Sequence, residues 1–173
     1  YLLLQVPGGE RAVRAAFPNI AINLLASLLF FLGVGLLYGI YGTENLPDLT
    51  QKVAAAPSSN LQFVAFAMLT TAFGIKASLV PILFWLPAVY PALSGPVAAL
   101  FAGMMTKLGV FALLRTVPAL MGSTPIPELL VWIGAISAIL GVLAALSEFE
   151  IRRLLGFHIV SQVGYMVLGL GLM

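Results

Sequence analysis

Between Ala15 and Thr43 the chain carries no charged residue at all. An α-helix needs about 20 predominantly apolar residues to cross the hydrocarbon core of a bilayer, so this one run is long enough to span it. The pattern recurs. Further apolar segments run over residues 61–86, 97–117, 129–146 and 154–173, separated by short stretches that hold most of the charge and proline. Charged residues make up only 8% of the chain and mean hydropathy is +1.10. A water-soluble domain carries roughly 25% charged residues, so this chain cannot clothe itself in an ordinary polar surface. The predicted fold class is all-α, a polytopic transmembrane helix bundle of one domain over residues 1–173, with five spanning helices.

The connections follow from the same punctuation. Residues 43–60, with Glu44, Asp48, Lys52 and two prolines, are predicted as a loop. Residues 86–96 hold Pro87, Pro91 and Pro96 and predict a turn or re-entrant connection. Residues 118–127 form a further loop, and residues 1–7 read as the tail of an earlier helix. The chain starts at Tyr1 without a basic leader and stops at the end of an apolar run, so a piece of a longer protein is expected. Alternating crossings put Arg11, Arg14, Arg152 and Arg153 on one side and Lys52 and Arg115 on the other. Positive loops face the cytoplasm, which places residues 8–14 and 147–153 there.

Several chemistries are excluded. There is no cysteine, hence no disulfide, thiolate metal site or thiol catalysis, and one histidine cannot make a multi-histidine site within these residues. The net charge of +2 is scattered and offers nothing to nucleic acid. No glycine-rich phosphate loop or metal-ligand cluster appears, so no cofactor is expected.

Two residues do not belong in an apolar layer. Lys76 falls near the middle of the second segment and Lys107 at the centre of the third, with ten residues on either side. A lysine at mid-membrane costs about 2.5–3.5 kcal/mol on insertion scales. Ten flanking residues are too many for the side chain of Lys107 to reach an interface, so both lysines must face the bundle interior or a hydrated cavity. They are either structural polar contacts or groups that take up and release protons, because burial disfavours the charged ammonium. All six acids (Glu10, Glu44, Asp48, Glu128, Glu148 and Glu150) fall in loops or at helix ends. Lys76 is therefore expected to be largely neutral or to have its carboxylate outside this chain. Pro81, five residues on, removes a backbone donor and deprives the Ala77 carbonyl of its helical partner, which is tolerated at depth only within protein or beside a wet cavity.

His158 sits one turn into the last segment with Ser161 and Gln162 at i+3 and i+4, placed on one face. It is either a hydrogen-bonded packing residue or a proton relay, since histidine titrates nearest neutrality. A serine hydrolase is disfavoured: same-helix neighbours align poorly for attack, and no nucleophile-elbow glycines surround Ser161. Arg152 and Arg153 are expected as interfacial anchors.

Three segments carry a family resemblance. Phe73-Gly-Ile-Lys-Ala-Ser-Leu-Val-Pro81 followed by Phe84-Trp-Leu-Pro87 resembles the lysine-bearing broken helix of the antiporter-like membrane subunits. These subunits are shared by respiratory complex I, membrane-bound hydrogenases and multisubunit sodium/proton antiporters. Residues 96–110, with Thr106-Lys107, are similar to the next helix of that family, and Glu150 to Tyr165 to the stretch after it. Phe157-His-Ile-Val-Ser-Gln162 is similar to the D-type subunits of the Mrp sodium/proton antiporters, where complex I relatives more often carry Tyr-Ser-Ser at 157–159.

The resemblance implies a fold of about fourteen helices in two inverted repeats, each with a broken helix. It implies that a glutamate on the helix before Tyr1 pairs with Lys76, that Lys107 hands protons laterally, and that His158 continues the relay. It further implies sister membrane subunits as partners, Na+ or Li+ and protons as cargo, no cofactor, and a bacterial inner membrane. A redox-driven subunit of complex I or a hydrogenase is the nearest alternative, and a non-conducting scaffold the more distant one.

Overall fold

The computed structural model describes residues 10–57, 59–121 and 124–173; residues 1–7, the expected remnant of an earlier helix, lie outside them. In chain order the helices are α1 (Glu10–Tyr41), α2 (Leu46–Ala55), α3 (Asn60–Ala77), α4 (Trp85–Val89) and α5 (Gly95–Leu120). They are followed by α6 (Ile126–Leu146) and α7 (Ile151–Gly171). Among the described residues, four helices are long and apolar enough to cross a membrane: α1 from Phe17, then α5, α6 and α7. The chain is an all-α membrane bundle.

The second apolar segment differs from the expected continuous crossing. Its helix, α3, ends at Ala77, and the chain turns irregularly through residues 78–84 before re-entering helix at α4 and a short 3-10 turn, Tyr90–Ala92. Apolarity continues across this gap, which is why hydropathy alone joins the two halves. The region 43–60 also differs, because it holds a helix. Leu46, Leu49 and Val53 in α2 share one apolar face packed on the core. Asp48 and Lys52 pair at 3.2 Å on the other face, and Lys52 Nζ donates to the last carbonyl of α1, that of Tyr41, at 3.1 Å. Counting charges marks this stretch as polar without revealing its 3.6-residue period.

Neighbouring helices run antiparallel and meet through small residues. Gly33 of α1 lies against Ala65 and Leu69 of α3. Gly109 of α5 lies against the α3 backbone, where a methyl group would stand 2.7 Å from the Ala77 nitrogen. α6 and α7 pack along their length through Gly134, Gly141 and Gly164, and a methyl on Gly134 would stand 2.6 Å from Leu168 N. Within a membrane, helices are held by such close packing and not by a hydrophobic drive between them. Gly134→Ala is therefore expected to force α6 from α7 at a cost of about 1–3 kcal/mol. A lower melting temperature of the detergent-solubilised protein would register it, and an unchanged one would contradict this packing.

Candidate functional site

The site is built on the end of α3. Ser78 takes the left-handed conformation, φ 62°, and closes a Schellman turn: Ser78 N donates to Ile75 O at 3.1 Å and Leu79 N to Gly74 O at 3.0 Å. The Ser78 hydroxyl donates to Leu83 O at 3.1 Å, and Trp85 Nε1 returns to Ile75 O at 3.2 Å, so the far side of the break is tied to the near side. Val80 N, which a continuous helix would give to Lys76 O, donates instead to Ser137 Oγ of α6 at 3.1 Å. Pro81 has no N–H for the Ala77 carbonyl. The carbonyls of Lys76 and Ala77 have thus lost their helical donors.

Lys76 occupies the last turn of this half helix, not the middle of a spanning helix as its place in the apolar run suggests. The C-terminal end of a helix carries partial negative charge and favours a cation. The Lys76 side chain is half buried and its Nζ donates to Asn23 Oδ1 of α1 at 3.4 Å. Asn23 in turn donates through Nδ2 to Asn19 Oδ1 at 2.8 Å and to Asn19 O at 2.9 Å, and Ser27 Oγ donates to Asn23 O at 3.0 Å. Both asparagines are 3% exposed. Asn23 lies six residues, about 9 Å, inside Phe17 at the start of the α1 span. Lys76 therefore lies nearer the end of the bundle that carries the 147–153 turn than the opposite end. A cavity of about 290 Å³ between α1, α3 and α5 adjoins it, lined by Ser27, Phe73, Lys76 and Gly109 among others. Among the described residues the ion pairs are Lys52–Asp48 and Arg153–Glu148, both at the ends of the bundle, and neither involves Lys76 or Lys107.

Lys107 solves its burial differently. Residues Phe101–Met105 of α5 form a π-helical turn, a widening that is frequent at functional sites. Lys107 Nζ donates to the Ala102 carbonyl within that turn at 2.8 Å. The neighbouring Thr106 hydroxyl is fully buried with no partner among the described residues. Gly109, two residues on, touches the Phe73–Ala77 turn. Two residues are about 3 Å of rise and 200° of rotation, so the lysines lie at similar depth on different faces of the α3–α5 contact.

His158 is exposed on the outward face of α7 with Gln162 and Tyr165. Ser161, expected beside it, instead points inward and donates to Ala138 O of α6 at 2.9 Å, because a small hydroxyl is what the close α6–α7 contact at Gly141 admits. Arg152, exposed at the start of α7, donates to Leu93 O at 2.9 Å and ties α7 to the connection before α5, while Arg153 pairs with Glu148 at 3.6 Å. Sequence reasoning missed Asn19 and Asn23. Their signal was two amides four residues apart in an otherwise apolar span.

Ser137→Ala would leave the half-buried Val80 N–H without this acceptor, a loss of about 1–3 kcal/mol. A fall in melting temperature with the helix content kept is the expected outcome, measured by circular dichroism on the solubilised protein. No change would show that Ser137 does not hold the break.

The chain matches the family described as NADH:quinone oxidoreductase/Mrp antiporter, TM, over residues 1–173. It is 37% identical over 174 residues to the D-type Na(+)/H(+) antiporter subunit of Alkalihalophilus pseudofirmus, covering 99% of this chain and 35% of that protein. It superposes on a chain of the Mrp complex from Dietzia sp. DQ12-45-1b with a TM-score of 0.85 and 36% identity, covering 94% of this chain and 30% of that one. A chain of respiratory complex I from Thermus thermophilus with bound NADH gives a TM-score of 0.84 at 30% identity, covering 98% and 37%. The chain spans about a third of the length of these relatives.

Proposed function

Because this chain belongs to the NADH:quinone oxidoreductase/Mrp antiporter transmembrane family, we propose that it is the core of a membrane subunit of a multisubunit cation/proton antiporter. Protons move through Lys76 and Lys107 and onward by way of His158. The observation that carries this reading is Lys76 itself: an ammonium-bearing side chain in the last turn of a broken helix, held by a neutral amide at 3.4 Å beside a cavity. A neutral acceptor serves both the charged and the uncharged amine, so the lysine can gain and lose a proton without losing its place. Lys107, held by a backbone carbonyl at 2.8 Å, meets the same condition.

The outward face of α7 suits a relay that leaves this bundle. His158 and Gln162 would meet helices from the rest of the protein, which in the family's inverted-repeat plan includes a second broken helix. The same plan supplies the carboxylate for Lys76 from a helix before Tyr1. Sister membrane subunits are its partners, Na+ or Li+ the counter-ion, and a bacterial plasma membrane its place, with residues 8–14 and 147–153 in the cytoplasm. The likeness to the Alkalihalophilus antiporter supports the antiporter over the redox-driven alternative, to which the Thermus complex I likeness points.

The test is cation-dependent proton flux in vesicles carrying the full complex, with Lys76→Ala and Lys107→Ala at matched assembly. Each is expected to lower flux at least tenfold. Flux within twofold of wild type in both would make the lysines structural contacts and the chain a scaffold.

A further inference from the structure

The amide pair Asn19–Asn23 has no part in the relay as proposed, yet it is buried, internally hydrogen-bonded and aimed at Lys76. The Asn23 side chain offers one acceptor and two donor hydrogens. Both donors are spent on Asn19, one on its side-chain oxygen at 2.8 Å and one on its backbone oxygen at 2.9 Å. That leaves only Oδ1 to face Lys76 Nζ at 3.4 Å. The reverse orientation would set an NH2 group against a lysine nitrogen and abandon two bonds to Asn19. The orientation is therefore dictated by chemistry and held by the helical i to i+4 spacing of the two residues.

We propose that Asn23 is a positioning residue for Lys76, an orientation-locked neutral acceptor that holds the lysine nitrogen at the helix break through both protonation states, with Asn19 as the lock. The inference rests on the relay role of Lys76. The neutrality of Asn23 matters beside the carboxylate that the family plan brings from a helix before Tyr1: a second carboxylate at this place, within about 4–6 Å, would favour the ammonium further and retard proton release, whereas an alkyl group would leave the ammonium unsolvated on this side. The groups around Lys76 sharpen the point. From α1 they are Asn23 and Ser27, from α3 Phe73, and from α5 Leu108, Gly109 and Ala112. The nearest charge along α5 is Lys107, two residues from Gly109, a cation that would itself disfavour the ammonium of Lys76.

The pH dependence of cation-driven proton flux tests this, measured on the full complex in vesicles for Asn23→Asp, Asn23→Leu and Asn23→Gln, with Lys76→Ala as reference. Asn23→Asp is expected to raise the pH of half-maximal flux by about one unit or more, and Asn23→Leu to lower it. Asn23→Gln, which keeps the acceptor, should keep the wild-type profile with reduced flux. Asn19→Leu, which unlocks the amide without touching Lys76, should shift the profile in the direction of Asn23→Leu by a smaller amount. It also serves should a change at residue 23 prevent assembly. Wild-type pH profiles in the Asp, Leu and Asn19 variants, whatever their flux, overturn the proposal and leave the ladder structural. Undiminished flux in Lys76→Ala instead overturns the relay on which it rests.

Discussion

In a layer without water every backbone N–H and C=O must find its partner inside the protein, and the end of α3 is where this chain departs from the local solution a helix provides. The departure is controlled. Ser78, Leu79, Val80 and Trp85 each place a donor on an acceptor from the break itself or from Ser137 of α6, so the turn is rigid and closed on the α6 side. What remains without helical donors are the carbonyls of Lys76 and Ala77, beside the one charged side chain of that helix. The rest of the bundle serves this arrangement. Gly109 lets α5 approach within touching distance of the Phe73–Ala77 turn, and α1 brings an amide to the lysine from the other side.

The two lysines meet one problem with two devices. Lys76 has a helix terminus and a side-chain amide, and Lys107 has a π-helical turn whose carbonyl it reaches within its own helix. In both cases the acceptor among the described residues is neutral. A carboxylate in place of either oxygen would bind the ammonium more tightly and make the charge costlier to discharge. A neutral acceptor suits a path along which charge must pass.

Much of this was legible in the residues. The apolar runs, the misplaced lysines and Pro81 locate the bundle and its centre, because the energetic penalties they carry are large and local. The break was legible only in part. Pro81 marks the first missing donor, but the helix ends earlier, at Ala77, since Ser78 can take the left-handed turn once Leu83 accepts its hydroxyl, a partner no spacing rule reveals. α2 was hidden by its charges, and the inward turn of Ser161 by the helix that receives it. The π-helical turn and the Asn19–Asn23 ladder depend on what stands opposite, and Arg152 on a carbonyl 59 residues away in sequence. Local periodicity speaks for elements, and long-range polar pairs speak only once the elements are placed.

Under the proposed relay Lys76 must discharge and not merely be positive. Arginine separates these, because its guanidinium keeps the charge and the donor capacity but does not give up a proton in proteins. Cation-driven proton flux in vesicles carrying the full complex with Lys76→Arg, at matched assembly, is the direct measurement. Flux lowered at least tenfold is the predicted result, and wild-type flux with arginine in place would show that a fixed charge at the helix break is enough.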